Sequence, residues 1–315
     1  MVSQTVYVTG AHGFVGSNLM TYLSRDKSRR LVTVGRSGSD LTYDDFELEA
    51  PKADSAIIHL AGKAHDLRNV TNPEDYDEVN FGLTKRTYDR FAESDATRFI
   101  FASSVKAVAD TVVGELTEST EPSPSTAYGV SKLKAENYLR NHSTGHIQKT
   151  YILRPCMIHG PGNKGNLNLL YGLVSRRIPY PLGAFENERS LLTIENLCFA
   201  IEQILSRQIE PGTYNVADDS PLSTNEMITI ISEAMRKNPL ILSPPRSLMT
   251  KLAGLGDRLR LPINSERLQK LTEDYVASNA KLLQALGRNG MPTAASSGLR
   301  ETALTLRLDA KSGRR

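Results

Sequence analysis

The chain has 315 residues, of which 39% are hydrophobic and 23% charged. That length and composition suit one large core with a smaller lobe attached and exclude a chain disordered by composition. Lys plus Arg number 38 and Asp plus Glu 35, a formal charge of +3. A balance this near neutral gives no electrostatic case for nucleic acid, although a few local cations suffice for a small anionic ligand.

No apolar run reaches about 18 residues, so no membrane span or insertion is expected. Met1 to Gln4 lead straight into an alternating apolar segment, without the parts of a signal peptide. Cys156 and Cys198 stand far apart and read as reduced thiols in or near the core, which points to the cytoplasm. The Asn-x-Ser/Thr matches at Asn69 and Asn141 are then chance. The 6 histidines lack ligand spacing, so no metal is expected.

In chain order, Thr5–Thr9 reads as a strand and Phe14–Ser24 as a helix with Phe14, Val15, Leu19 and Leu23 on one face. Leu31–Gly35 is a second strand. Ala56–Ala61 is a third, apolar on both faces as a central parallel strand should be. A helix over Pro73–Glu93, a strand over Arg98–Ser103, a long polar loop, a helix over Ala127–Arg140 and a strand over Lys149–Leu153 follow. This alternation predicts an α/β fold with a doubly wound parallel sheet. Beyond Pro155 the texture changes to short helices and strands: Arg189–Ile194 and Gly212–Ala217 read as strands and Ser223–Met235 as a capped helix. The last dozen residues are polar and expected to be loose.

The strand–turn–helix at the start contains Gly10-Ala11-His12-Gly13-Phe14-Val15-Gly16. Glycines there permit a tight turn, close backbone approach to a pyrophosphate and close helix–strand contact, and the helix N-terminus offers free N–H groups. The spacing differs from the common G-x-G-x-x-G. At the end of the second strand, where an acid would hold ribose hydroxyls, the chain has Arg36 and Ser37. Both suit a 2′-phosphate, which favours NADP(H) and leaves NAD(H) possible; Arg36 could instead stack on adenine or face solvent. Asp40-Leu41 reads either as an adenine contact or as a turn cap.

Tyr128 and Lys132 lie at i and i+4, on one face of the helix that follows the fourth strand. Of 12 tyrosines, only this one has Lys four residues on. A neighbouring cation would lower the phenol's pKa, so that Tyr128 can exchange a proton with a carbonyl or alcohol near neutral pH. Ser104, at the carboxyl end of the preceding strand, can donate to the same oxygen.

Together these residues resemble the extended short-chain dehydrogenase/reductase family, the NAD-dependent epimerase/dehydratase group, from Thr9 to about Leu286. The resemblance implies a Rossmann-type domain over 1–160, with 189–217 returning to it, and a smaller mixed α/β lobe over 161–315 for a sugar nucleotide. It implies that Ser104, Tyr128 and Lys132 are catalytic, and that Gly10, His12, Gly13, Phe14, Val15 and Gly16 hold the dinucleotide. Leu60, Ala61 and Gly62 would line its nicotinamide side, Asn80 would stand behind, and Tyr128, Lys132 and Pro155 would contact it. Asn166, Leu167, Arg189 and, as a weaker match, Arg267 would hold the substrate, with Lys270 an alternative to Arg267. Ser103–Lys106, Gly162–Leu167 and Asn187–Ser190 are similar to bacterial UDP-N-acetyl-hexosamine enzymes of surface-polysaccharide synthesis, among them 4-keto reductases that form UDP-N-acetylquinovosamine.

The chain departs from that pattern in places. Met157 stands where relatives often have Asn, and His159 where Tyr is usual. Val105-Lys106 replaces the Asp-Glu pair that dehydration requires, and Lys106 suits an anionic or amide-bearing sugar. The expected activity is an oxidoreductase that reduces a 4-keto UDP-sugar with NADPH. The alternatives are a UDP-sugar 4-epimerase that retains NAD and, more remotely, a non-catalytic cofactor-binding regulator. A homodimer through the 73–93 and 127–140 helices is expected from the family.

Overall fold

The structure, a computed structural model, describes residues 4–49, 51–63, 72–142, 147–163, 167–259 and 264–312, apart from some helical side chains, Arg267 and Lys270 among them. The chain begins with β1 (Gln4–Thr9), α1 (Phe14–Leu23), β2 (Arg29–Gly35), β3 (Leu41–Thr42), α2 (Tyr43–Leu48) and β4 (Ala56–His59). Then come α3 (Pro73–Tyr76), a π-helical turn (Asp77–Gly82), α4 (Leu83–Ala92), β5 (Arg98–Ala102), a 3₁₀ turn (Val105–Ala107), β6 (Glu115–Leu116), α5 (Ala127–Asn141) and β7 (Lys149–Pro155). β8 (Met157–His159), α6 (Leu167–Arg176), β9 (Leu191–Thr193), α7 (Ile194–Ser206) and β10 (Gly212–Val216) follow. The remainder is α8 (Thr224–Ala234), α9 (Arg246–Leu259), α10 (Ser265–Thr272), β11 (Val276–Ala277), α11 (Ala280–Leu286) and α12 (Ala295–Ser312).

Seven strands form one parallel sheet in the order β10-β7-β5-β4-β1-β2-β3. The chain runs outward from β1 to β3, then returns to β4 on the other side of β1. A crevice opens outside the carboxyl ends of β1 and β4 at such a reversal. Successive strand residues feed opposite layers. Ile57, Phe99 and Phe101 join Tyr88, Phe91 and Leu139 on one face, while Ile58 and Ile100 join Leu19, Leu197 and Ile201 on the other. All four β4 residues are buried, because helices cover both faces. A separate core of Leu182, Leu191, Met227, Ile231, Met249 and Leu299 builds the second lobe.

Several expectations change. The helix expected over Pro73–Glu93 is divided by the π turn, whose buried Asn80 bonds outside the helix, to Lys63 and Ser131. The strand expected over Ala56–Ala61 ends at His59. Arg189 is not in a continuous strand but in isolated bridges to Leu222 and Tyr275. The end of the chain is not loose up to Ser312: α12 buries Ala295, Leu299 and Ala303 in the second core, and its Thr302 meets the buried His159 at 3.0 Å. Among the described residues, no helix is long and apolar enough to cross a membrane.

Candidate active site

The turn after β1 is built for close approach. Gly10 has φ +69°, and a Cβ on it would lie 2.7 Å from the Ala61 nitrogen. A Cβ on Gly16 would collide with the Gly10 carbonyl. Gly13 caps α1 without a side chain, and no acid occupies the first turn, so the helix N-terminus is left electropositive. Phe14 lies against the Gly160–Gly162 turn and Val15 against the first core. An open cleft of about 810 Å³ borders Gly10, His12, Gly13, Arg36, Ala61 and Gly62. The glycine cradle and the positive helix end fit a dinucleotide.

At the end of β2, Arg36, Ser37 and Ser39 line this cleft, with Tyr43 of α2 beside them. His12 Nε2 lies 3.3 Å from Ser39 Oγ. Asp40, expected either at adenine or as a turn cap, bonds to β2 through Oδ2. Its carboxylate accepts from Thr33 N at 2.8 Å and Thr33 Oγ1 at 2.7 Å, and neither Asp40 nor Leu41 borders the cleft. Those bonds hold Asp40 below the usual carboxylate range and pin β3 beside β2. Arg86, on the opposite wall, is held by Asp44 at 3.1 Å and Glu47 at 2.6 Å.

Deeper along the crevice, the start of α5 is fixed by two devices. Thr126 accepts from Gly129 N at 3.2 Å as N-cap. The Asp110 carboxylate accepts from the backbone N–H and the hydroxyl of both Ser125 and Thr126. Tyr128 is thereby brought beside Ser104, close enough for the serine hydroxyl to act on its phenol. Ser104 Oγ also accepts from Lys106 N at 3.2 Å. The Tyr76 ring stands edge-on to the Tyr128 ring, with centroids 6.3 Å apart.

Lys132 is buried; its Nζ donates to the Ala102 carbonyl at 2.8 Å and sits 4.8 Å from the Phe101 ring centre. Burial lowers its pKa to about 8, against a smaller opposing pull from Glu136. The expected lowering of the Tyr128 pKa by Lys132 is corrected. Burial raises it, and the neighbouring Ser104 hydroxyl, not Lys132, opposes the rise; the Lys132 ammonium faces Ala102 and Phe101. Among these, Lys132 Nζ approaches Gly62, which borders the cleft, and a phenol, a hydroxyl and an amine grouped there can deliver a proton to a carbonyl oxygen.

Gly62 has its place for a steric reason: a Cβ there would meet Asn80 Oδ1 at 2.9 Å and Lys132 Nζ at 3.2 Å. Leu60 N and Ala61 N donate to the Thr9 carbonyl and hydroxyl, which holds this segment across β1. Pro155 closes β7, buried opposite Val216.

Of the expected substrate residues, Arg189 and Lys106 both meet Tyr275. Arg189 is partly buried, which pushes its guanidinium below its ordinary value; Nη2 donates to the Glu273 carbonyl at 3.4 Å. The Leu167 side chain is buried in the second core. The Lys106 ammonium, expected near the sugar or as a solvated loop residue, donates to the Asp110 carbonyl at 2.7 Å and lies 4.3 Å from the Tyr275 ring centre. Asn166, with Lys164 and Gly165, lies outside the described residues, as do the Arg267 and Lys270 side chains and the Asn69 glycosylation match. Tyr43, Ser39 and Ser131 were not foreseen in the site. The Thr42–Asp45 capping box was the readable signal for α2 and hence for Tyr43.

Residues 6–217 match the family model described as "NAD dependent epimerase/dehydratase family". The chain is 31% identical over 278 residues to a UDP-glucose 4-epimerase of Vibrio cholerae, covering 81% of this chain and 84% of that one. It is 24% identical over 258 residues to a GDP-6-deoxy-D-mannose reductase of Pseudomonas aeruginosa, covering 78% and 84%. The fold is similar to that of RMD from Pseudomonas aeruginosa complexed with NADPH, with a TM-score of 0.75, 21% identity and coverage of 99% and 100%. With the glycine turn and the Ser104, Tyr128 and Lys132 arrangement, these matches make the chain a member of the NAD-dependent epimerase/dehydratase family.

Proposed function

We propose that the protein reduces the 4-keto group of a UDP-linked N-acetyl-hexosamine, with NADPH as cofactor. The observation that carries this reading is the rim of the cleft, where Arg36 and Ser37 stand in place of an acid, with Tyr128 beside Ser104 at the head of α5. In this reading Tyr128 donates to the sugar oxygen, Ser104 steadies that oxygen, and Lys132 holds the nicotinamide ribose. The bound nicotinamide supplies the hydride. Arg36 and Ser37 stand where an acid would serve NAD, and so suit the 2′-phosphate of NADPH. Arg189, with Asn166 and Arg267, would hold the diphosphate and nucleotide, since guanidinium forks match phosphate oxygens. The enzyme would work in the cytoplasm as a homodimer joined through α4 and α5.

A second reading, a UDP-sugar 4-epimerase, is favoured by the 31% identity to the Vibrio cholerae enzyme. Mass spectrometry of the freshly purified, denatured protein separates the two. Retained NAD supports the epimerase and removes the role given to Arg36. Empty protein that binds NADPH more tightly than NADH, and consumes NADPH with a 4-keto UDP-N-acetyl sugar, supports the reductase.

A further inference from the structure

The chain's small net charge hides a local concentration. Residues 246–272 contain 6 Lys or Arg and 2 Asp or Glu. Their balance of +4 exceeds the +3 of the whole chain, so everything else sums to −1. These residues include α9 and α10, which pack on each other in the second lobe. Met249 and Ala253 anchor α9 in that core.

α9 also carries a second apolar stripe that is not buried. Leu248, Leu252 and Leu255 are exposed by 47%, 48% and 48%. The spacing i, i+4, i+7 puts them on one face of the helix. Lys251 and Arg258 are exposed on the flank of that face, and neither has an acidic partner among the described residues. Asp257, the acid within α9, is occupied by Ser265, whose N–H and hydroxyl donate to it at 3.0 and 2.6 Å. A helix with a leucine stripe bordered by unpaired cations matches the interface of an anionic bilayer, where leucines enter the acyl boundary and cations meet the headgroups.

We propose that the exposed face of α9 docks the protein peripherally on an anionic lipid surface, through Leu248, Leu252 and Leu255 with Lys251 and Arg258. Charge complementarity favours this occupant over a second copy of the chain, since two such faces bring like charges together. None of these five residues borders the dinucleotide cleft, so docking and cofactor binding are separable.

The test is co-sedimentation of the full chain with vesicles of phosphatidylcholine alone and with about 30% phosphatidylglycerol, at 0.1 and 0.5 M salt, alongside sedimentation velocity without vesicles. The expected result is at least about fivefold more protein bound to the anionic vesicles, a loss of most binding at high salt, and background binding for Leu252→Glu and for Lys251→Glu with Arg258→Glu. Cofactor binding and thermal stability should be unchanged in these variants, which shows that they fold. Equal binding to both vesicles, or none, overturns the proposal. So does a dimer that Leu252→Glu makes monomeric while no vesicles bind, because the face would then join two copies.

Discussion

Successive turns of α5 carry two buried charges that the fold treats in opposite ways. Glu136 accepts from Arg154 at 2.6, 2.9 and 3.2 Å, from Arg140 at 2.5 Å and from Ser103 at 2.5 Å. One turn earlier, Lys132 donates to one carbonyl and faces one aromatic ring. The first charge is fully paired and binds α5 to β7. The second is under-partnered beside a cleft, and its pKa is displaced to about 8. A buried charge with complete partners holds shape, whereas one with incomplete partners at a crevice is free to act on a ligand.

This contrast can be broken at four places. Tyr128→Phe, which removes the proton donor, should reduce turnover about 10²- to 10⁴-fold while titration still shows unchanged NADPH affinity; near-normal turnover would sink the mechanism. Glu136→Ala leaves Arg154 buried without its carboxylate and should lower stability by about 3–5 kcal/mol in urea unfolding. If unfolding is unaffected, the paired-charge side of the comparison fails.

Lys132 should leave a pH signature. Its folded pKa of about 8 lies below the unfolded value, so above pH 8 the unfolded chain keeps a proton that the folded chain has released. Stability from this group therefore rises with pH through 8, by up to about 1.4 kcal/mol per pH unit. Lys132→Met should flatten that rise between pH 8 and 9.5, below the range where tyrosines titrate; parallel curves for wild type and variant would show that the amine is not displaced. The smallest effect is expected at the rim of the cleft. Arg36→Ala should lower the NADPH-to-NADH affinity ratio about tenfold, and His12→Ala, one hydroxyl further away at Ser39, by less. An unchanged ratio in Arg36→Ala would remove the argument for NADPH.

Local pattern made much of this readable. The glycine turn, the Tyr128–Lys132 spacing and the apolar runs of the sheet each follow from a short stretch of chain. Asp40 shows where that legibility stops: its bond to Thr33 depends on how two strands lie side by side. The contacts of Leu167 with the second core and of Lys106 with Tyr275, 169 residues further on, are equally out of reach of local pattern. The last dozen residues read as loose because they are mostly polar, yet α12, anchored earlier by Ala295, Leu299 and Ala303, runs on through them to Ser312.

Neighbouring residues were enough to read the α/β alternation, the glycine turn and the Tyr128–Lys132 spacing, because period and spacing are local properties. Tertiary structure alone decided which charges are paired. It turned Lys132 onto Ala102, raised rather than lowered the pKa of Tyr128, gave Asp40 to Thr33 and left the leucines of α9 in water. Burial and hydrogen bonding at those positions depend on residues tens to hundreds of places away in the chain, and the fold is what brings them together.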